Sequence, residues 1–125
     1  QGAFPASYNI AVEKAKTAVQ FQKKTGDLEN AVNVAEGSSR TALLSAPYVL
    51  MRGGVPIFIN NMCVGAVGVS GVTPDQDEQV ANAAVDALNQ IVTSKFNLKT
   101  LLFGIIFQND YHFFVVSYTL KIAIL

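Results

Sequence analysis

A single cysteine, Cys63, and a single histidine, His112, are all that 125 residues offer of the two side chains most used for metal binding and nucleophilic catalysis. One thiol makes no internal disulfide and no clustered-cysteine metal site. One imidazole, far in sequence from the cysteine and outside any Ser/His/Asp arrangement, leaves no nucleophilic constellation. His and carboxylates with metal-ligand spacing are also missing. A charge surplus is lacking too: nine Lys and Arg balance nine Asp and Glu. Such a chain has no electrostatic draw on a polyanion, so nucleic acid is not an expected partner. The longest apolar runs, Leu101–Phe107 and Phe113–Leu120, fall well short of the roughly 20 residues a bilayer requires. Gln108, Asn109, Asp110 and His112 stand between them and would be costly in hydrocarbon, so no membrane partner is expected. Gly65 and Gly68 lack the Lys-Ser/Thr ending of a phosphate loop.

What the chain does have is apolar surface. Half of its residues are hydrophobic and 14% are charged, which suits one globular domain around one core. Ser7 is placed to cap a first helix reaching about Gln22. Ile10, Ala11, Lys14, Ala15, Ala18 and Phe21 share one face of it, opposite Glu13, Lys16, Gln20 and Lys23. Thr25 is placed to cap a second helix through Leu28, Ala31, Val32 and Ala35, closed by Gly37. Residues 38–47 read as loop. A β block follows: Tyr48–Met51, then Val55–Ile59 and Met62–Ser70, the last two joined by Asn60-Asn61, whose tolerance of positive φ suits a tight hairpin.

Thr73-Pro74-Asp75-Gln76 is the strongest local signal. Thr caps, Pro takes the first helical position, and Gln completes a capping box. Asp75, Asp77 and Glu78 add negative charge where the helix dipole favours it. The helix they open presents Val80, Ala83, Ala84, Ala87, Leu88 and Ile91 as an alanine-rich stripe. Glycine weakens a strand unless a bulge or close approach requires it. The pattern therefore predicts that this third helix lies directly on the strand carrying Gly65 and Gly68. Beyond about Thr93 the composition shifts: residues 96–125 hold five of the eight Phe, one Gly and no Pro. They read as two β-rich runs around Gln108-Asn109-Asp110. This hydrophobic extension must pack on the domain, join another chain, or aggregate.

Three segments carry a resemblance. Gly2-Ala3-Phe4-Pro5-Ala6-Ser7 with Ala11 through Ala18 is similar to the "GAxxxSxxxAxxKAxTA" helix of the GlcG/HbpS-type heme-binding family. Arg52-Gly53-Gly54-Val55-Pro56-Ile57 resembles that family's "GGVPI" strand entry. Val64 through Gly71, followed by Asp75-Gln76-Asp77-Glu78, resembles its "VGAIGVSGxxxxQDE" signature. The match covers residues 2–89, in order. It implies an α+β, profilin-like fold, an antiparallel sheet with packed helices, usually assembled into homo-oligomers. It also implies heme as ligand, as in relatives that include extracellular redox sensors and the C-terminal domain of some corrinoid adenosyltransferases. The family pattern further implies a helix and two strands ahead of Gly2 that this chain lacks. On this reading residues 1–93 form a partial domain and 94–125 an unmatched extension.

Heme needs an apolar slot and a ligand or donor near its iron. Tyr8, Tyr48, Met51, Met62, Cys63 and His112 offer atoms of the right kind, though each also reads as an ordinary strand or core residue, and no iron ligand is assigned. Lys14 and Asp77 say more. By helical phase Lys14 lies on its helix's apolar face and Asp77 on that of Val80 and Ala84. Lys14 is expected either to snorkel past the helix edge or to converge with the Asp77/Glu78 turn; Asp77 is expected either to cap its helix or to join that convergence. The second alternative yields a polar pocket beside Gly53, Gly54, Ser70 and Gly71. These seven residues are the candidate cofactor-binding set. The functions in view are a non-catalytic heme- or tetrapyrrole-binding oligomer, an accessory enzyme of small-molecule catabolism, and a purely structural subunit.

Overall fold

The computed structural model describes residues 3–94 and the backbone of residues 112–117. Along the chain come α1 (Ala6–Phe21), α2 (Thr25–Val32), a 3-10 turn (Thr41–Ser45), β1 (Gly54–Ile59), β2 (Met62–Ser70), α3 (Pro74–Ser94) and β3 (His112–Ser117). The strands form one antiparallel sheet in the order β1-β2-β3. The class is α+β, with helices packed on an antiparallel sheet. Among the described residues no helix is long and apolar enough to cross a membrane. The apolar run 101–107, the link Gln108-Asn109-Asp110 and the side chain of His112 lie outside the described residues.

Asn60 and Asn61 turn the β1–β2 hairpin at φ 50° and 63°, the left-handed pair that matches the twist of adjoining strands. Register runs from Gly54 opposite Gly68 to Ile57 opposite Gly65, then slips so that Phe58 meets Cys63. Val64 is the additional residue of a bulge. The amide of Val69 donates to the carbonyl of Gly53 at 2.9 Å, and that bond sets the alternation along β1. Gly54 and Pro56 consequently turn their backbone away from β2. The Gly54 amide donates to Thr25 Oγ1 at 2.8 Å, and Pro56 has no N–H. This edge of the sheet is closed to another strand at both positions.

The sheet lies between two helices. On one face Val55, Ile57, Val67 and Val69 pack against Ala81 and Val85 of α3, with Val80, Ala84 and Leu88 partly buried alongside. On the other face Ala66 packs against Ala15 and Ala18 of α1. Here the approach is closest. A Cβ on Gly68 would overlap the Ala11 carbonyl oxygen and come within 2.8 Å of the Ala15 nitrogen. A Cβ on Gly54 would overlap the Lys14 carbonyl oxygen and reach Thr25 Cγ2 at 2.7 Å. α3 does lie on β2, as the sequence pattern predicts, but through Val67 and Val69; the close backbone approach at Gly54 and Gly68 is made by α1. Alanine richness marks both helices; it is the face of β2 carrying Gly68 that decides which one fits.

Other local expectations are corrected. Residue 5 is the α1 N-cap position and supplies no side-chain bond; Ser7 sits inside the helix, 5% exposed. Thr25 does not cap α2, because its hydroxyl is held by Gly54. α2 ends at Val32, ahead of Ala35 and Gly37. Among the described residues Tyr48–Met51 pairs with no strand: Tyr48 instead meets Phe21 edge to face at 4.9 Å, and the segment leads into β1. On α3 the expected stripe is rotated. Ala81 and Val85 are buried, while Ala83, Ala87 and Ile91 are exposed. Alanines on several sides of the helix leave no sharp apolar edge, and buried Asp77, one turn before Ala81, fixes the face. The capping box does form, with Gln76 N donating to Thr73 Oγ1 at 3.4 Å and Thr73 N to Gln76 Oε1 at 3.3 Å.

Gly68→Ala forces α1 away from the sheet. Urea denaturation should show a loss of roughly 1–3 kcal/mol or more, the range for overpacking a tight interior. Gly37→Ala, where a Cβ meets nothing, should cost about 1 kcal/mol from its positive φ alone. Equal losses at the two positions would contradict the packing described.

Candidate functional site

Lys14 and Asp77 meet at the end of the sheet. Lys14 leaves the α1 face, passes Gly53, and donates from Nζ to Asp77 Oδ2 and to the carbonyl of Val69, each at 2.9 Å. Both side chains are almost fully buried, 2% and 3% exposed. The other carboxylate oxygen of Asp77 accepts the amides of Gly71 and Val72, at 3.1 and 3.2 Å. Lys14 therefore does not snorkel, and Asp77 holds the β2–α3 turn in addition to opening the helix. Every buried side-chain nitrogen and oxygen among the described residues has a partner. That matters, because a buried ion pair is tolerated only when its remaining bonding capacity is met.

Gly53 makes the convergence possible. Its φ is +121°, and a Cβ there would stand 2.9 Å from Asp77 Cβ and 3.0 Å from Lys14 Nζ. Beside the pair opens a cleft of about 270 Å³. Its polar wall is Ser7, Lys14, Ser70, Gly71 and Asp77; its apolar wall includes Phe4, Ile10, Met51 and Val72. The structure thus brings together five of the seven residues singled out in the sequence: Lys14, Gly53, Ser70, Gly71 and Asp77. The other two face α2. Gly54 is bonded to Thr25, and the Glu78 carboxylate lies so close to Gly26 that a Cβ there would be 2.7 Å from Oε1.

Arg52 braces the approach to the cleft. Its backbone amide and its Nε donate to Glu29 at 2.7 and 3.2 Å, and one terminal nitrogen donates to Asn30 Oδ1 at 2.8 Å. The other terminal nitrogen donates to Asp75. The hydrogen bond to Asp75, and after it the charge of Glu29, raise the guanidinium pKa above its already high ordinary value. The group is a permanent cation, and it ties α2 and the start of α3 to the Met51–Gly53 bend.

Of the candidate iron-binding atoms, Met51 lines the cleft and is 42% exposed. Tyr48 is turned to Phe21, Met62 lies at the hairpin, and Cys63 Sγ donates to the Gly65 carbonyl at 3.6 Å. Among the described residues no three His, Cys, Asp or Glu gather as a metal site. The sequence reading missed Ser7 and Arg52. Ser7 had a signal available, one helical turn before Ala11 on the buried face. Arg52, a cation in an apolar, glycine-rich stretch, shows its role only once α2 and α3 flank it.

Removing one member of the buried pair strands the other. Lys14→Met should cost roughly 3–5 kcal/mol in chemical denaturation. Adding Asp77→Asn, which keeps an oxygen for the two turn amides while removing the uncompensated charge, should recover part of that loss. A double variant at least as unstable as the sum of the two single variants would show that the ion pair is not what couples these residues.

Comparison with known proteins places this geometry in a family. The protein-family model described as haem degrading protein HbpS-like matches residues 1–86. An uncharacterized 15.0 kDa protein from the dhaT-dhaS intergenic region of Citrobacter freundii is 33% identical over 90 residues, 71% of this chain and 63% of that protein. Protein GlcG of Escherichia coli K12 is 42% identical over 67 residues, 53% of this chain and 47% of GlcG. This chain thus spans less than two thirds of the length of either relative. Among solved structures, protein ORFY of Klebsiella pneumoniae superposes with a TM-score of 0.61 at 32% identity, covering 70% of this chain and 61% of ORFY. A PduOC:heme complex superposes with a TM-score of 0.59 at 28% identity, covering 70% and 64%. The chain belongs to the HbpS-like family.

Proposed function

We propose that this chain is a heme- or tetrapyrrole-binding module, non-catalytic and working as a homo-oligomer, with the ligand held at the cleft between the first turn of α1 and the β2–α3 turn. The observation that carries the reading is the apolar mouth of that cleft. Phe4 is 78% exposed, Val72 47% and Met51 42%, a cluster of large apolar side chains around one opening, of the kind that marks a binding surface. The solved heme complex of a structural neighbour supports the same ligand class.

The residues present fit such a ligand in part of its outline. A volume of about 270 Å³ falls just below the usual range of small-molecule sites and would admit only part of a macrocycle, for which Phe4 and Val72 would supply apolar contact. Met51, in the wall, would supply a thioether donor to an iron. A face left outside the cleft calls for cover, which a second copy of the chain supplies. Lys14 and Asp77, the buried side chains able to move a proton, are each committed to fixed partners. This favours binding over turnover and speaks against the accessory-enzyme alternative.

Titrating the purified chain with hemin should give a saturable shift of the Soret band. Met51→Ala should move the bound band or weaken binding about tenfold, the effect of losing roughly 1.4 kcal/mol. Absence of any saturable change in the wild-type chain would overturn the proposal.

A further inference from the structure

We infer that the closed end of this cleft is a seat for a carboxylate carried on a short apolar stem, with the hydroxyls of Ser7 and Ser70 as its donors. The inference rests on the cleft being the ligand site proposed above, and it names the part of the ligand that enters first. Ser7 and Ser70 are both more than nine-tenths buried, 5% and 7% exposed, and both line the cleft. Neither hydroxyl has a hydrogen-bond partner among the described residues, yet no buried polar side-chain atom lacks one. Both oxygens therefore open onto the cleft, where a ligand or solvent is the partner left to them.

The charge around them selects an anion. Ser7 lies in the first turn of α1, whose N-terminus has no side-chain cap and no acidic residue. The partial positive charge at that end of a 16-residue helix meets no capping side chain and no acidic residue of its own first turn. The one carboxylate in the wall, Asp77, is neutralised by Lys14 and by two backbone amides. A second anion therefore meets donors rather than bare negative charge. Phe4, Ile10 and Met51 leave room for a methylene stem behind the carboxylate. A tetrapyrrole propionate and a free short-chain organic acid share this chemistry.

Binding of hemin and of hemin dimethyl ester is compared in the wild-type chain and in Ser7→Ala/Ser70→Ala, following the Soret band. Hemin should bind at least tenfold tighter than its ester, and the double variant should erase the difference by weakening hemin alone. Equal binding of acid and ester, or a difference that survives the double substitution, overturns the inference and leaves the heme reading standing. Where neither porphyrin binds, the heme reading fails and butyrate decides. Saturable shifts of the Ser7 and Gly71 amide resonances in the wild type, absent from the double variant, support the seat; no shifts overturn it.

Discussion

The backbone of α1 rests on the sheet where Gly54 and Gly68 stand opposite each other across β1 and β2. The remaining architecture follows from that approach. The Val69–Gly53 hydrogen bond makes Gly54 and Gly68 a non-hydrogen-bonded pair, whose Cα atoms are the closer kind in an antiparallel ladder. Two missing side chains in adjacent strands produce a depression that a helix faced with Ala11, Ala15 and Ala18 can enter. Any side chain at either position would meet helix backbone, which cannot move aside as a rotamer can. With α1 this low, Lys14 is near enough to the end of the sheet to cross to the other layer.

That crossing joins the halves of the domain. α1 covers one face of the sheet and α3 the other, and Lys14–Asp77 ties them past the rim. A buried ion pair contributes little net stability against a well-packed apolar substitute. What it does in the geometry is tether α1 to the first turn of α3 and, through Asp77, hold the amides of Gly71 and Val72 in the turn. The cleft beside it inherits both consequences. Its floor is electrically balanced, and its rim keeps an uncapped helix end and exposed apolar side chains. The ion pair is the rigid back of the cleft, and the ligand contacts proposed above lie in front of it.

Much of this was legible in the residues. The Asn60-Asn61 hairpin and the Thr73/Gln76 capping box are local signals, and local chemistry decided them. Helical phase put Lys14 and Asp77 on apolar faces and left their convergence beside Gly53, Gly54, Ser70 and Gly71 as one of two alternatives; the ion pair decides for it. What the sequence could not rank was which of two alanine-faced helices the glycines receive, since that depends on the face of β2 each one meets. Thr25 and Ser7 misled for a related reason. Each is a good capping residue by type, yet Thr25 found a partner in β1 and Ser7 was carried inside the helix, and both outcomes are tertiary. Tyr48–Met51 has strand-like composition, but Tyr48 packs on Phe21 and no strand among the described residues pairs with the segment.

The central claim is the direct contact of the α1 backbone with the Gly54–Gly68 pair, and proton NMR reports it without altering the protein. A NOESY spectrum should show strong cross-peaks from the Gly68 Hα protons to Ala11 Hα and the Ala15 amide, together with contacts between the Gly54 Hα protons and the Lys14–Ala15 backbone. Finding Gly68 Hα in contact with Ala81 or Val85 instead, and silent toward α1, would put the wrong helix on the glycines and contradict the account.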